Sequence, residues 1–350
     1  MSTLYSLNTP CLVVDESLLL KNIKTMAAFT KKTGVGLRPH FKTHKCVEIA
    51  GLQIKYGALG ITCATIDEAE ALVKGGIKSV LIANQLTDEH KIKRLLKLQK
   101  KNNQIIVGVE NEINLLLLNE MAGRQKKKIN VLIEVDTGME RLGRAPGADT
   151  LDFAGLVGKM RNIKLLGLMG YEGHTVFIQN KKEKKQKALQ ALRLLTESAG
   201  LLVKAGIPVA IVSAGGTGTY DVTGKYSGIT EIQAGSYVFL DQKYEALVKG
   251  FSKSLFVLSS VCGLRTDGTY IIDAGFKALS SEFGVPLVAG KPVIKLSEEH
   301  SKVKGTKVFV GQRVLVTPTH CCTTVNLHER LHIINRKSHV KSWKIYRARL

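Results

Sequence analysis

Apolar and polar positions along this chain repeat in two ways. Short apolar or β-branched runs recur at 35–41 (VGLRPHF), 60–65 (GITCAT), 79–84 (SVLIAN) and 104–109 (QIIVGV). They continue at 130–135 (NVLIEV), 165–171 (LLGLMGY), 209–214 (VAIVSA) and 231–238 (EIQAGSYV). Between most of them lie amphipathic stretches of helical period, such as IDEAEALVKGG and DEHKIKRLLKLQKK. In the first of these, Asp67 can cap a helix and Gly75 with Gly76 can stop it. Eight strands alternating with helices fit either a doubly wound sheet or a (β/α)8 barrel, and the count of eight favours the barrel. The barrel is expected over 11–245. Beyond it the texture changes. Runs at 255–264, 269–273, 307–310, 313–318 and 323–334 are rich in Val, Ile and Thr, alternate, and lack long helical patterns. Residues 246–350 therefore read as an all-β domain.

Composition narrows the class of molecule. Hydrophobic residues make up 44% and charged residues 23%, the balance of a globular chain rather than a disordered one. No apolar run approaches the roughly 20 residues that a membrane helix needs, and MSTLYSLNTPCLVVDES lacks a basic-then-apolar signal pattern. The six cysteines, Cys11, Cys46, Cys63, Cys262, Cys321 and Cys322, show no disulfide-framework spacing, which points to a reducing, cytoplasmic setting. Lys and Arg number 51 against 29 Asp and Glu, a net charge of +22 that raises nucleic acid as a ligand. The surplus is spread along the chain, however. Its densest run, KKEKKQK at 181–187, leads into ALQALRLLTESAG and reads as the solvated start of a helix, so nucleic acid is not the expected partner. A basic surface also attracts small anions.

Barrel enzymes carry their chemistry at the C-terminal ends of the strands. Here those ends read RPHFKTHK after the first strand, DTGMERLG after the fifth, YEGH after the sixth, SAGGTGTY after the seventh and QAGSY after the eighth. The last two resemble a phosphate cradle, in which small residues let backbone N–H groups reach an anion and Thr217 and Ser236 add hydroxyls. The same glycines would also serve plain tight βα turns. Lys42 sits where the first strand opens into the site, with Arg38 and Lys45 nearby to lower its pKa. A Schiff-base lysine and a phosphate cradle are the minimum that pyridoxal phosphate requires.

LNTPCLVVDESLL, LRPHFKTHK, IEVDTGMERLGR, GYEGHT, SAGGTGTYD, EIQAGSYVFLD, DAGFKALSSEFG and VTPTHCCTTVNLH resemble, in that order, the eukaryotic-type D-serine dehydratase and D-threonine aldolase family. That family has the alanine-racemase-like fold of pyridoxal phosphate enzymes. The resemblance covers nearly the whole chain. It implies a barrel plus a β domain that also takes an N-terminal strand, placed at 1–10, and a homodimer. It implies Lys42 as the Schiff-base lysine, Arg141 at the cofactor's phenolic oxygen, Tyr171 and His174 flanking the ring, and Gly216, Thr217, Gly235 and Ser236 at the phosphate. Gln233 stands where alanine racemases carry an arginine toward the ring nitrogen, which argues against racemase activity.

His320 and Cys322 are two residues apart, so on a strand they would share a face, and imidazole with thiolate suits Zn²⁺ or another divalent metal. Two ligands leave positions for water and a substrate hydroxyl. The family's dehydratases look like His-x-Cys here and its aldolases more often like His-x-Asp, although Cys321 stands beside the chosen ligand. The expected activity is elimination of water from a D-3-hydroxy amino acid, foremost D-serine to pyruvate and ammonia. The alternative is D-threonine aldolase, giving glycine and an aldehyde. HERLH at 328–332 matches the H-E-x-x-H metallopeptidase pattern, but it lies in a β-rich stretch where a helix would be needed, and His339 is badly spaced as a third ligand.

Overall fold

The computed structural model describes residues 3–99, 104–335 and 340–347. The chain folds into two compact units. One takes its described residues from 27–42 and 50–235, the other from 3–26, 43–49 and 236–347.

The first unit is the barrel. Its strands are Gly36–Leu37, Ile61–Cys63, Ser79–Ile82, Gln104–Val109, Ile129–Glu134, Ile163–Met169, Ile211–Ala214 and Glu231–Ile232. Each pairs in parallel with its neighbour from the second to the eighth, and the eighth pairs with the first. A parallel bridge between His40 and Thr62, with Thr62 N–H donating to the Pro39 carbonyl at 2.9 Å, closes the ring between the first and second strands. Leu81, Ile106, Leu132 and Met169, from four adjacent strands, form a buried cluster. Burial of each contributes about 1.5–3 kcal/mol.

The connecting helices start on short polar caps. Thr65, Asp88, Asn111 and Asn180 each accept backbone N–H groups of the following first turn. Thr65, rather than the expected Asp67, caps Ile66–Lys74, because its hydroxyl reaches the Glu68 N–H while Asp67 already lies inside the first turn. The basic run at 181–187 does open a helix, Lys181–Lys204.

The second unit is built on antiparallel strands. Leu255–Leu264 pairs with both Thr269–Ile272 and Arg313–Thr317. Ser301–Lys304, Lys291–Leu296 and Leu287–Val288 complete a circuit between those two partners, so this part of the sheet closes on itself. Closure removes the open edges through which strands pair with other chains. Cys11–Asp15 adds to the same sheet, antiparallel to Leu255–Leu264 and parallel to Arg330–Ile334, with Leu12, Val13 and Val14 fully buried. The N-terminal strand is therefore Cys11–Asp15 rather than 1–10. Residues 3–6 form a 3₁₀ turn.

The run 323–334 is also not one strand. Cys321–Val325 is a short helix, and only Arg330–Ile334 is strand. Pro318 ends the preceding strand, and the carboxylate of Asp241 takes the Cys321 N–H at 2.9 Å, so hydrogen bonding overrides the β propensity of these threonines. His328 and His332 consequently share no helix face; His328 Nε2 lies 2.9 Å from the Ala278 carbonyl oxygen. His339 lies outside the described residues. Among the described residues no helix is long and apolar enough to cross a membrane.

Candidate active site

In a parallel barrel all strand C-termini share one face, and the barrel-unit residues singled out from the sequence gather there. Lys42 lies in the 3₁₀ turn Phe41–Thr43 that follows the first strand, with an exposed side chain, and its backbone N–H donates to His40 Nδ1 at 3.3 Å. Arg141 follows the fifth strand, Tyr171 and His174 the sixth, Gly216 and Thr217 the seventh, and Gln233 and Gly235 the eighth. Arg38 does not serve Lys42 as a neighbouring cation. Its Nε contacts both carboxylate oxygens of Glu231 at 2.8 and 3.0 Å, Nη2 adds a bond at 2.9 Å, and Nη1 reaches Ser79 Oγ at 2.8 Å. Both side chains of this pair are buried, so each charge is answered inside the barrel.

The turn after the seventh strand is shaped by a carboxylate that sequence reasoning missed. Glu172, 1% exposed, accepts the Gly215 N–H at 3.1 Å and the Thr219 hydroxyl at 2.7 Å, and also takes the Thr223 hydroxyl. Gly215 has φ +78°, a conformation that favours glycine. A Cβ on Gly216 would stand 3.0 Å from Tyr171 Cε2, and one on Gly218 2.5 Å from Val176 Cγ1. The run is thus a bare backbone surface against the Tyr171 ring, and it fits a phosphate held by N–H groups.

The fifth-strand turn folds around Asp136, whose carboxylate accepts the N–H groups of Gly138, Met139 and Glu140 at 2.8–3.1 Å. Gly138 adopts φ +111°, and a Cβ there would stand 3.0 Å from His174 Cε1, so the imidazole packs on bare backbone. Arg141 Nη2 lies 3.8 Å from Glu134 Oε1, and Gln85 Nε2 donates to Glu134 Oε2 at 2.5 Å. Burial pushes the Glu134 carboxyl above its ordinary range, against the opposing pull of Gln85 and Arg141. Gln85 and Glu134 carry no motif that would mark them in the sequence.

Gln233 Nε2 donates to Ser213 Oγ at 2.9 Å, and Ser213 donates to Glu231 at 2.9 Å. The amide thus ends a chain that runs through Ser213 and Glu231 to Arg38, and it offers a neutral group where an arginine would offer charge.

In the second unit, His320 is the N-cap of the helix Cys321–Val325, with extended backbone, and Cys322 lies in that helix's first turn. The two are not on a strand, yet Cys322 acts electrostatically on the His320 imidazole. His320 Nδ1 is 2.7 Å from Glu282 Oε2, and the Phe283 ring stacks on the imidazole at 4.6 Å and 28°. Burial opposes the imidazolium, but the hydrogen bond and charge of Cys322, with Glu282 and Asp241, push the His320 pKa up to about 9. The Cys322 thiol donates to Thr43 Oγ1 at 3.5 Å and lies 3.8 Å from Ser236 Oγ. Cys321 is fully buried, and burial raises its thiol well above the ordinary range. Imidazole and thiol side by side fit a divalent metal of the zinc type. Among the described residues no group of three or more His, Cys, Asp or Glu side chains is arranged to hold a metal ion.

Comparison with known proteins agrees with this architecture. Residues 14–243 match the alanine racemase N-terminal domain, and residues 254–334 match the serine dehydratase domain. The chain is similar to a D-threonine aldolase of Arthrobacter sp., 32% identical over 97% of this chain and 92% of the relative. Its structure resembles that of a D-threonine aldolase from Filomicrobium marinum, with TM-score 0.93 and 28% identity over 98% of this chain and 96% of the other. It also resembles a D-threo-3-hydroxyaspartate dehydratase from Delftia sp. HT23, with TM-score 0.91 and 26% identity over 99% of each chain. A cysteine-to-alanine variant of a D-threo-3-hydroxyaspartate dehydratase is known in a metal-free form. The chain belongs to the alanine racemase N-terminal domain family, in combination with a serine dehydratase domain, and it is a pyridoxal-phosphate-dependent lyase.

Proposed function

We propose that this lyase eliminates water from a D-3-hydroxy amino acid, foremost D-serine, with pyridoxal phosphate and a divalent metal as cofactors. One observation carries the reading: the Cys322 sulfur lies between Thr43, the residue after Lys42, and Ser236 of the phosphate cradle. Thr43 and Ser236, the residues that directly follow Lys42 and Gly235 in the chain, thus both lie in short contact with the thiol of the metal pair. When bound, pyridoxal phosphate accepts charge developing at the substrate's α-carbon, and a divalent metal polarises its hydroxyl.

The chain's own residues have the following roles. Lys42 Nζ would hold the cofactor's aldehyde carbon, and its amine is the base for the α-proton. Gly216, Thr217, Gly235 and Ser236 hold the phosphate, with Glu172 fixing the turn that presents Gly216. Arg141, beside Glu134, would answer the charge of the cofactor's phenolic oxygen, and Tyr171 and His174 would hold its ring. Gln233, held by Ser213, would offer the ring nitrogen a neutral amide. His320 and Cys322 would hold the metal, which supplies Lewis acidity at the substrate hydroxyl. Loss of the α-proton and the β-hydroxyl leaves an enamine, whose hydrolysis gives a 2-oxo acid and ammonia.

A second reading, aldol cleavage of D-threonine, is favoured by the 32% identity to the Arthrobacter enzyme. The two separate in one assay of protein loaded with pyridoxal phosphate and zinc, offered D-serine and D-threonine in turn. Chelator-sensitive 2-oxo acid from D-serine supports elimination; glycine and acetaldehyde from D-threonine replace it with aldol cleavage. Lys42→Ala should lose both cofactor absorbance and turnover. His320→Ala should keep the absorbance and lose turnover, and an active variant would refute the metal role.

A further inference from the structure

The segment around 280–283 contacts the metal pair in a way that the proposed chemistry does not yet use. Three threonines from the pair's own stretch pin it. Thr319 Oγ1 donates to the Ser280 carbonyl at 3.1 Å, Thr323 Oγ1 donates to Ser280 Oγ at 2.8 Å, and the Ser280 N–H donates to Thr324 Oγ1 at 3.3 Å. From that anchor, Glu282 and Phe283 both reach His320. The carboxylate stands 2.7 Å from Nδ1, and the ring stacks on the imidazole at 4.6 Å. Behind Phe283, the Lys243 ammonium lies 6.0 Å from its centroid.

We infer that Glu282 is a positioning residue for His320: it fixes the tautomer that carries hydrogen on Nδ1 and leaves Nε2 as the donor to a metal. This rests on the reading of His320 and Cys322 as the metal pair. An imidazole that binds a metal gives up the proton of the coordinating nitrogen and keeps the other, and the hydrogen bond made by the kept N–H decides which nitrogen binds. At 2.7 Å from a carboxylate, Nδ1 is the protonated one. The stacked Phe283 ring keeps the imidazole plane in register, so that Nε2 points in one direction rather than sampling several. Glu282 itself acts as an acceptor from His320 and not as a third ligand. Its side chain is 45% exposed, so replacing it removes the acceptor without opening the core.

The test measures zinc affinity of the full chain by competition with a chromophoric chelator, together with the thiolate-to-metal absorption of the Co²⁺-substituted protein. Glu282→Ala should weaken zinc about 10- to 100-fold, the usual cost of removing such a partner. It should keep the thiolate band, because Cys322 is untouched. Glu282→Gln, whose amide oxygen still accepts from Nδ1–H, should recover most of that loss. Equal loss in both variants, or wild-type affinity in Glu282→Ala while His320→Ala loses zinc, would overturn the positioning role. Wild-type affinity in His320→Ala and Cys322→Ala would instead overturn the metal pair itself.

Discussion

Glu172→Gln tests whether a buried carboxylate holds the phosphate cradle in shape. The native side chain accepts one backbone N–H from Gly215 and two hydroxyls, from Thr219 and Thr223. Hydrogen bonds to a charged group contribute about 1.5–3 kcal/mol each, against about 0.5–1.5 for neutral ones, so neutralising the acceptor costs about 1 kcal/mol per bond. Relief from burying a charge offsets part of the total of about 3, leaving about 2 kcal/mol. If the loss falls on ordering the 215–219 turn, pyridoxal phosphate affinity drops about thirtyfold. Titration of the apoprotein with cofactor, followed by its absorbance on Lys42, reads this directly, and urea unfolding of the apoprotein reads the remainder. Cofactor affinity and unfolding midpoint both within about 0.5 kcal/mol of wild type would refute the role of Glu172, since that is the range of an inert surface change.

Two further outcomes follow from the same face of the barrel. Gly216→Ala places a methyl group 3.0 Å from the Tyr171 ring, and overpacking of this kind costs about 1–3 kcal/mol; cofactor affinity should fall about tenfold, and an unchanged titration would mean that the ring moves freely. Glu134 binds its proton more tightly in the folded chain than in the unfolded one, so its contribution to stability is complete below the ordinary carboxyl range and is lost as pH rises through the raised value. Glu134→Gln should therefore gain stability relative to wild type as pH is raised from about 4 to about 7, and parallel urea-midpoint curves would contradict the burial argument.

Local pattern alone specified a great deal of this protein. The eight apolar runs became the eight parallel strands because a strand buried on both sides must be apolar throughout, and that signal is local. The glycines of SAGGTGTYD and the lysine of RPHFKTHK stood out for the same reason: their chemistry is a property of the residue and of its place at a strand end. Tertiary structure decided what depends on partners distant in sequence. Cys11–Asp15 reads like any short apolar strand, and only pairing with Leu255–Leu264 and Arg330–Ile334 assigns it to the antiparallel sheet. The spacing of His320 and Cys322 brought them together on paper as strand neighbours, whereas the Asp241 carboxylate, 80 positions away, turns their segment into a helix cap and first turn. Arg38 looked like a free cation beside Lys42 until Glu231, 193 residues on, neutralised it. Glu172, Glu134 and Glu282 were silent in the sequence because a carboxylate's role is set by the groups that it accepts from, and folding alone brings those groups within reach.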